Sequence, residues 1–328
     1  MPQVSYHGLI AGAEKDLQSL TQAALVDGFF SLDLDCPEGV SLREDIRFLE
    51  TFSEDVFDIP TPVKERFDFK TLGRFRTTGY KPLGIEEGAK AGEPDGFEMF
   101  MLPQNELLLP SFRPALQSPD LVFAHREALT RCMEHYEQAA QLILRRVSEV
   151  LNLGDALLAA HQPSEPSVTN LGFLKYPPQP AGSRNFGHIA HTDVGSLTLL
   201  SATARGLQVI DIARQDWEFV DPNPAQLFVQ FGDCLKFLSR GRIIPSLHRV
   251  VPSDTDAQAT KYTLAYFVRP NEQACITTDD GTVWRYENYH CRKFDAFARP
   301  LSHVRPEGEH DMISIRQAPQ REGPVAVA

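Results

Sequence analysis

Apolar positions in the first 112 residues change between helical and strand periods, which indicates a mixed α and β region. Gly28 ends the first helical pattern, and the residues after it are typical of a strand. Ser41 and Glu44 match a capping box, and Pro62 favours a further short helix. The predicted elements are a helix over 14–26, a strand over 29–34, a helix over 41–57 and a short helix from Thr61.

The chain from 79 to 110 is rich in glycine, proline and charge, so we expect loop or lid material with one strand over 98–102. Apolar residues then return to helical spacing over 121–153, which predicts the longest helix of the chain. We expect that helix to buttress a sheet.

Beyond residue 165 the apolar residues fall in short runs separated by turn signals, which is typical of an all-β body. A double-sheet jelly roll suits this spacing best. We predict an amino-terminal region over 1–112 and a jelly-roll region over 113–328, with a catalytic core at about 165–270, packed as one globular unit. The predicted strands are 168–176, 196–201, 207–210, 217–220, 227–231, 248–251 and 262–268.

Composition and charge narrow the class of protein. A formal net charge of -12 argues against nucleic acid, because such partners normally meet a basic face. The sequence has no apolar run long enough to cross a bilayer and does not begin like a signal peptide, so we expect a cytosolic protein without a membrane partner. Five cysteines without a CxxC pair favour reduced thiols. Nothing in the sequence indicates the oligomeric state.

The strongest chemical signal is a set of three residues with metal-ligand chemistry. His191 and Asp193 lie just before a predicted strand, and residues two apart in an extended chain point the same way. His248 follows at a distance that allows several strands to return it to the same mouth. Two imidazoles and one carboxylate leave open metal positions, as in iron(II) oxygenases, while zinc competes on ligand type. An HxD motif alone is more often a pair of exposed polar residues in a loop, so the surrounding sequence decides.

That surrounding sequence resembles the isopenicillin N synthase-like family of iron(II)/2-oxoglutarate-dependent dioxygenases. The resemblance implies a double-stranded β-helix, or distorted jelly roll, with buttressing helices, an iron ion at its mouth and an amino-terminal α/β region that closes the site. It is specific over 170–270 and weaker before. The matching residues are 187–200, Gly232-Asp233, Leu238-Ser239, His248-Arg249-Val250, Asn170, 176–180 and, weakly, Gly79-Tyr80 and 98–100.

The sequence departs from the family at the cosubstrate site. Family members usually bind the far carboxylate of 2-oxoglutarate with an Arg-x-Ser pair, and here Lys261 and Thr263 stand at those positions. Lysine keeps the charge but loses the two-pronged fork of arginine. Three alternatives stay open: Lys261 binds 2-oxoglutarate, another basic residue such as Arg269 or Lys175 does so, or no 2-oxoglutarate is used. The predicted cosubstrate-binding residues are Lys261, Thr263, Asn170, Lys175 and Tyr176.

The predicted function is oxidation of a small-molecule metabolite, coupled to decarboxylation of 2-oxoglutarate to succinate and CO₂, with iron(II) as cofactor and O₂ as oxidant. Hydroxylation, desaturation and cyclisation are all compatible with this, and the family clusters in secondary metabolism. We predict no catalytic serine or cysteine, because the metal supplies the hard chemistry. The alternatives are an isopenicillin N synthase-like iron oxidase that does not use 2-oxoglutarate and, more remotely, a non-enzymatic metal-binding jelly roll. The other histidines, including His188, are not predicted as ligands.

Overall fold

The computed structural model describes residues 1–86, 94–109, 112, 115–178, 187–212, 214, 216–251 and 259–297, so positions 179 and 180 of the family motif lie outside it. The helices are α1 Tyr6–Ala11, α2 Glu14–Gln22, α3 Val40–Asp58, α4 Thr61–Lys64, α5 Asn105–Leu108, α6 Asp120–Ala124, α7 Arg126–Val150, α8 Ala156–Ala159, α9 Asp233–Leu238 and α10 Tyr286–Phe297. The strands are β1 Gln3–Ser5, β2 Phe29–Asp33, β3 Gly79–Lys81, β4 Glu98–Pro103, β5 Asn170–Tyr176, β6 His188–His191, β7 Leu197–Ala202, β8 Leu207–Asp211, β9 Asp216–Phe219, β10 Gln226–Phe231, β11 His248–Val250, β12 Lys261–Val268, β13 Cys275–Thr277 and β14 Val283–Arg285.

Two sheets form the body of the protein. The large sheet has the order β1-β2-β10-β7-β12-β5-β4-β3, and the small sheet has the order β6-β11-β8-β9. From β5 to β12 the chain passes back and forth between them, with β5, β7, β10 and β12 in the large sheet and β6, β8, β9 and β11 in the small one. This alternation makes a double-stranded β-helix, so the predicted jelly roll is confirmed. Amino-terminal strands extend the large sheet at both edges.

The main hydrophobic core covers one face of the large sheet. Helix α7 buries a stripe at helical spacing that includes Leu129, Met133 and Ile143, and this amphipathic pattern explains why it packs as predicted. From α3, the ring of Phe52 lies 5.3 Å from the ring of Phe173 on β5. Smaller apolar clusters join the opposite face of the large sheet to the small sheet. One face of the large sheet therefore packs against the main core, and the other faces the small sheet.

The strand predictions are confirmed, and every predicted bound from β5 onward agrees to within two residues. The predicted first helix comprises α2 and a π-helical turn, Ala23–Asp27, and it ends at Gly28. Gly28 has a φ of 85°, a left-handed conformation that glycine adopts without steric penalty. The predicted helices over 41–57 and from Thr61 are confirmed as α3 and α4. Two details are wrong, namely the cap at Ser41 and the continuity of the helix over 121–153.

The predicted capping box at Ser41 does not form. A 3-10 turn, Pro37–Gly39, leads directly into α3, so Gly39 is the N-cap and Ser41 lies inside the helix. The predicted helix over 121–153 is interrupted at His125, whose φ of -108° and ψ of 13° separate α6 from α7. The turn before α3 thus starts the helix ahead of Ser41, and at the interruption the ring of His125 packs against Phe48 and Phe52 of α3.

Several elements were not predicted. The region expected to be loop contains β3 and α5 besides β4, and the region expected to be all-β contains α9 and α10. All five cysteines are free thiols, as expected. In the part of the chain that the structure describes, no helix is both long enough and apolar enough to span a membrane.

Candidate active site

The pairing of β6 with β11 brings the two histidines of the predicted metal site together. His248 on β11 lies directly opposite His191 on β6 in an antiparallel register. Residues opposite one another on adjacent strands point to the same face, and the two ring centres are 4.2 Å apart. Asp193 follows β6, and ligand atoms of the three residues all lie within 4.8 Å of one another. Strand register thus joins residues that are far apart in the chain.

Each imidazole is oriented by a backbone carbonyl. Nδ1 of His191 donates to the carbonyl of Ile189 at 2.7 Å, and Nδ1 of His248 donates to the carbonyl of Ser246 at 3.2 Å. Because a carbonyl oxygen only accepts, this arrangement leaves the lone pair on Nε2. These Nε2 atoms lie 3.7 and 3.9 Å from Oδ1 of Asp193. Three electron-pair donors therefore converge on one point.

Asp193 is fixed by the segments around it. Thr198 on β7 donates a hydrogen bond to Oδ2, which leaves Oδ1 facing the histidines. The N–H groups of Gly232 and Asp233, at the start of α9, donate to the carbonyls of Ser196 and Asp193 at 2.8 and 2.9 Å. A Cβ on Gly232 would lie only 2.9 Å from that Asp193 carbonyl, so glycine permits the close approach. This contact explains the glycine of the Gly-Asp pair seen in the sequence.

Burial and the neighbouring charged groups set the protonation states of His191 and Asp193. Burial, followed by the neighbouring His248, lowers the pKa of His191 to about 4. Burial raises the pKa of Asp193, but His248, His191 and the Thr198 hydrogen bond together outweigh it, and the net pKa is lowered. Asp193 is therefore a carboxylate and His191 a neutral imidazole near neutral pH, which are the protonation states that bind a metal.

Lys261, Thr263 and Tyr176 line the same cavity. Lys261 is 7% exposed, and its Nζ lies 4.8 Å from the ring centre of Tyr176, opposite it on β5. Burial lowers the pKa of Lys261 to about 7. Within the described residues the buried Oγ1 of Thr263 has no hydrogen-bond partner. An ammonium and a hydroxyl from one face of β12 are thus available to a ligand.

Asn170 and Lys175 are not brought into that cavity. The amide of Asn170 donates to the carbonyl of Thr77 at 3.0 Å and accepts from Arg269. Lys175 occupies the face of β5 opposite to that of Tyr176, and its Nζ lies 3.4 Å from Oε1 of Glu98. Strand alternation places the side chains of Lys175 and Tyr176 on opposite faces of β5. The charge of Lys175, which was predicted to bind the cosubstrate, is therefore paired with Glu98 instead.

The cavity has further polar and aromatic walls that the sequence did not reveal. The rings of Phe97, His188 and His191 stack in series, with centre-to-centre distances of 5.1 and 4.2 Å. Lys81 and Asp95 line it as a buried ion pair, with 2.7 Å between Nζ and Oδ2. The period-2 pattern of β12 could have identified the cavity face from Lys261 onward, but Phe97, Lys81 and Asp95 come from the segment predicted as loop.

Comparison with known proteins places this geometry in a family. The sequence profile of the 2OG-Fe(II) oxygenase superfamily matches residues 150–270. The chain is 66% identical to the 2-oxoglutarate-dependent dioxygenase ecdG of Aspergillus rugulosus over 97% of both chains. It is 30% identical to the 2-oxoglutarate-dependent dioxygenase frbH of Dothideomycetidae sp. (strain 11243) over 91% of both. The crystal structure of Neurospora crassa T7H in complex with alpha-KG aligns with a TM-score of 0.71 at 20% identity, covering 90% of this chain and 96% of that one.

The chain therefore belongs to the 2OG-Fe(II) oxygenase superfamily. It is an oxidoreductase that uses iron(II), 2-oxoglutarate and O₂, so the non-enzymatic alternative is excluded and the oxidase that dispenses with 2-oxoglutarate is not supported. Its substrate is a small molecule.

Proposed function

We propose that His191, Asp193 and His248 hold the iron(II) of this dioxygenase. The observation that carries the proposal is the convergence of two Nε2 lone pairs and one carboxylate oxygen, with each Nδ1–H held by a backbone carbonyl. In the described chain no fourth His, Cys, Asp or Glu joins this cluster. A structural zinc site is normally closed by four protein ligands, whereas three ligands on one face leave positions for a cosubstrate and O₂.

Lys261 and Thr263, with Tyr176 beside them, are proposed to bind the distal carboxylate of 2-oxoglutarate. Val251, just beyond β11, bonds to Gly206, and Nζ of Lys261 is 2.9 Å from where a Cβ on Gly206 would be. At about 3.3 Å per strand residue, the ammonium is on the order of 10 Å along β11 from His248. An extended five-carbon diacid chelated at one end suits that separation.

The same geometry favours Lys261 among the three basic residues considered from the sequence. Lys175 faces away from the cavity and is paired with Glu98. Arg269 lies beside the Asp193 loop, because its Cγ is 3.0 Å from where a Cβ on Gly195 would be. Lys261 alone of the three combines a place in the cavity with a separation from the histidines that fits the cosubstrate.

Bound iron supplies the activation of O₂, with electrons from the decarboxylation of 2-oxoglutarate. The chain's own residues position the reactants. Lys261 neutralises the carboxylate at the inner end of the cavity, and the apolar side chains of Leu174, Leu200 and Phe267 exclude water around it. Hydroxylation, desaturation and cyclisation each begin with oxidation of a substrate C–H, so the product depends on which carbon lies over the metal.

The fungal relatives support a place in secondary metabolism, and a cytosolic location agrees with five free thiols. The proposal is tested by anaerobic titration of the purified protein with iron(II) and 2-oxoglutarate, followed by charge-transfer absorbance. We expect a new absorption band only when both are present, and none in Asp193→Ala. A band of undiminished intensity in that variant would contradict the ligand assignment. Succinate release across a panel of metabolites then identifies the substrate.

A further inference from the structure

Arg269 is a buried cation whose hydrogen bonds all run to neutral oxygens. It follows β12 and is 7% exposed. Nη1 donates to the carbonyl of Val168 at 2.9 Å, to the side-chain oxygen of Asn170 and, more weakly, to the carbonyl of Phe267 at 3.5 Å. Among the residues that the structure describes, Nε has no hydrogen-bond partner at all. The guanidinium is thus held in place but is not neutralised by an ion pair.

The position of Arg269 sets it apart from the cosubstrate site. Lys261 and Arg269 lie on the same face of the strand, eight positions apart, and both line the cavity. Lys261 lies near Gly206 at one end, while the stem of Arg269 packs on Gly195, two residues from Asp193. The proposed iron site therefore has a cation on each side.

Other cations of the cavity wall are already paired. Lys81 forms the 2.7 Å ion pair with Asp95, and Nη2 of Arg76 lies 3.4 Å from Oδ1 of Asp295. Burial raises the pKa of Glu86, another carboxyl group in the wall, and the cations that oppose this rise are Lys81, Lys70 and Arg76. Asp193 is the carboxylate that contributes to the pKa of Arg269, and it is already a proposed ligand of the metal.

A count of charges shows what Arg269 lacks. When iron(II) and the 2-oxoglutarate dianion are bound, their charges together with those of Asp193 and Lys261 cancel. Arg269 then leaves one uncompensated positive charge in a site shielded from water. An unpaired buried charge is strongly unfavourable, and a guanidinium pairs best with a carboxylate through its planar fork. The missing partner is one negative charge, supplied from outside the protein.

We propose that Arg269 anchors a carboxylate group of the oxidised substrate. This rests on the proposed function, because it assumes that the metal and 2-oxoglutarate occupy the centre and the Lys261 end of the cavity. The substrate class is then a small carboxylic acid with an apolar body. That body would lie against the apolar wall of the cavity. Its apolar wall residues include Phe69, Phe97, Met99, Met101 and Phe267.

The test compares two probes of equal shape and different charge, 4-fluorophenylacetate and 4-fluorophenylacetamide. Each is titrated into the anaerobic iron(II)/2-oxoglutarate complex at saturating 2-oxoglutarate, and binding is measured by ¹⁹F NMR. We expect the acid to bind at least tenfold more tightly than the amide in the wild type, about 1.4 kcal/mol. Arg269→Gln should abolish the preference, and Arg269→Lys should keep most of it. Arg76→Gln is the matched control, because Asp295 already neutralises that arginine.

Three results would overturn the proposal. Equal binding of acid and amide by the wild type is the first, and it needs no variant to fold. An unchanged preference in Arg269→Gln is the second. The third is loss of 2-oxoglutarate binding in Arg269→Gln, seen in the charge-transfer band without any probe, which would make Arg269 the cosubstrate anchor. Failure of the wild type to bind iron(II) and 2-oxoglutarate would instead contradict the proposed function.

Discussion

If Lys261 binds 2-oxoglutarate as proposed, we expect the affinity to depend on pH in a way that it would not with an arginine at this position. Burial favours its neutral amine and lowers its pKa to about 7 in the free protein. Only the protonated form attracts the distal carboxylate, so affinity is greatest below pH 7 and falls as the pH rises through that value. About nine-tenths of the amine is protonated at pH 6, and about a tenth at pH 8. The apparent dissociation constant should therefore rise about tenfold between those two pH values.

Substitutions of Lys261 distinguish the effect of its positive charge from the effect of its low pKa. Lys261→Met removes a charge-assisted hydrogen bond of about 1.5–3 kcal/mol, so 2-oxoglutarate should bind roughly 10- to 150-fold more weakly at pH 6. Its affinity should also lose the pH dependence. Lys261→Arg keeps a guanidinium that stays protonated over this range, so binding should be tight and nearly independent of pH. The fork of arginine suits a carboxylate if the longer side chain fits beside Gly206.

The assay is the dissociation constant of 2-oxoglutarate from the anaerobic iron(II) protein, measured by charge-transfer absorbance from pH 6 to 8. Iron saturation is checked separately at each pH, because metal affinity is itself pH-dependent. The reasoning fails if wild type and Lys261→Arg show the same slope, since the titrating group is then elsewhere. It also fails if Lys261→Met binds 2-oxoglutarate as tightly as the wild type.

Three further predictions follow from contacts around the metal. When its concentration is about 100 times its dissociation constant, iron(II) should stabilise the wild type against unfolding by about 2.7 kcal/mol. Alanine at any of the three proposed ligands should remove this stabilisation in a thermal melt. A variant that is still stabilised by iron(II) would refute the ligand that it replaces. Gly232→Ala should weaken iron(II) binding at least tenfold in a metal titration, because its Cβ would meet the backbone at Gly195 and Asp193; unaltered affinity would show that this contact relaxes freely. Lys293→Met leaves Asp233 buried without its ion-pair partner and should cost about 3–5 kcal/mol in urea unfolding, so a loss below about 1 kcal/mol would refute the importance of this pair.

The core of the fold could be predicted from the sequence because its information is local. Strands such as β10 and β12 alternate or run apolar between clear turn signals, and their bounds were found to within two residues. The short strand His188–His191 carries polar residues, so periodicity does not reveal it. The break at His125 and the missing cap at Ser41 were mispredicted for the opposite reason. The surrounding residues have a regular helical pattern and a capping-box motif, but the helix is interrupted at His125 and α3 begins before Ser41.

The candidate site, like the fold, could be predicted only in part from the sequence. The predicted ligand set rested on the HxD motif, a later histidine and the family resemblance of the surrounding sequence, and the register of β6 and β11 brings the two histidines together. The sequence placed Lys261 at the family's Arg-x-Ser position but left Lys175 open as an alternative, because both are lysines in or beside predicted strands of the jelly roll. The register of β5 and β12 separates them: Lys261 lies opposite Tyr176, while Lys175 lies opposite Tyr262 on the other face. Such pairing depends on two strands that are distant in sequence.

Lys261 and Arg269 pose a harder problem, because one lies on β12 and the other directly after it, both line the cavity, and they share the same charge. Because they are an even number of positions apart in an extended segment, the sequence predicts that they lie on one face of the sheet. It does not indicate which of the two binds the cosubstrate. What distinguishes them is the metal site between them. Lys261 is displaced from His248 along β11, whereas Arg269 packs on the loop that carries Asp193. Because an extended 2-oxoglutarate that chelates the proposed iron site reaches a cation about 10 Å away along β11, we propose Lys261 as its anchor and Arg269 as the anchor of the molecule that is oxidised.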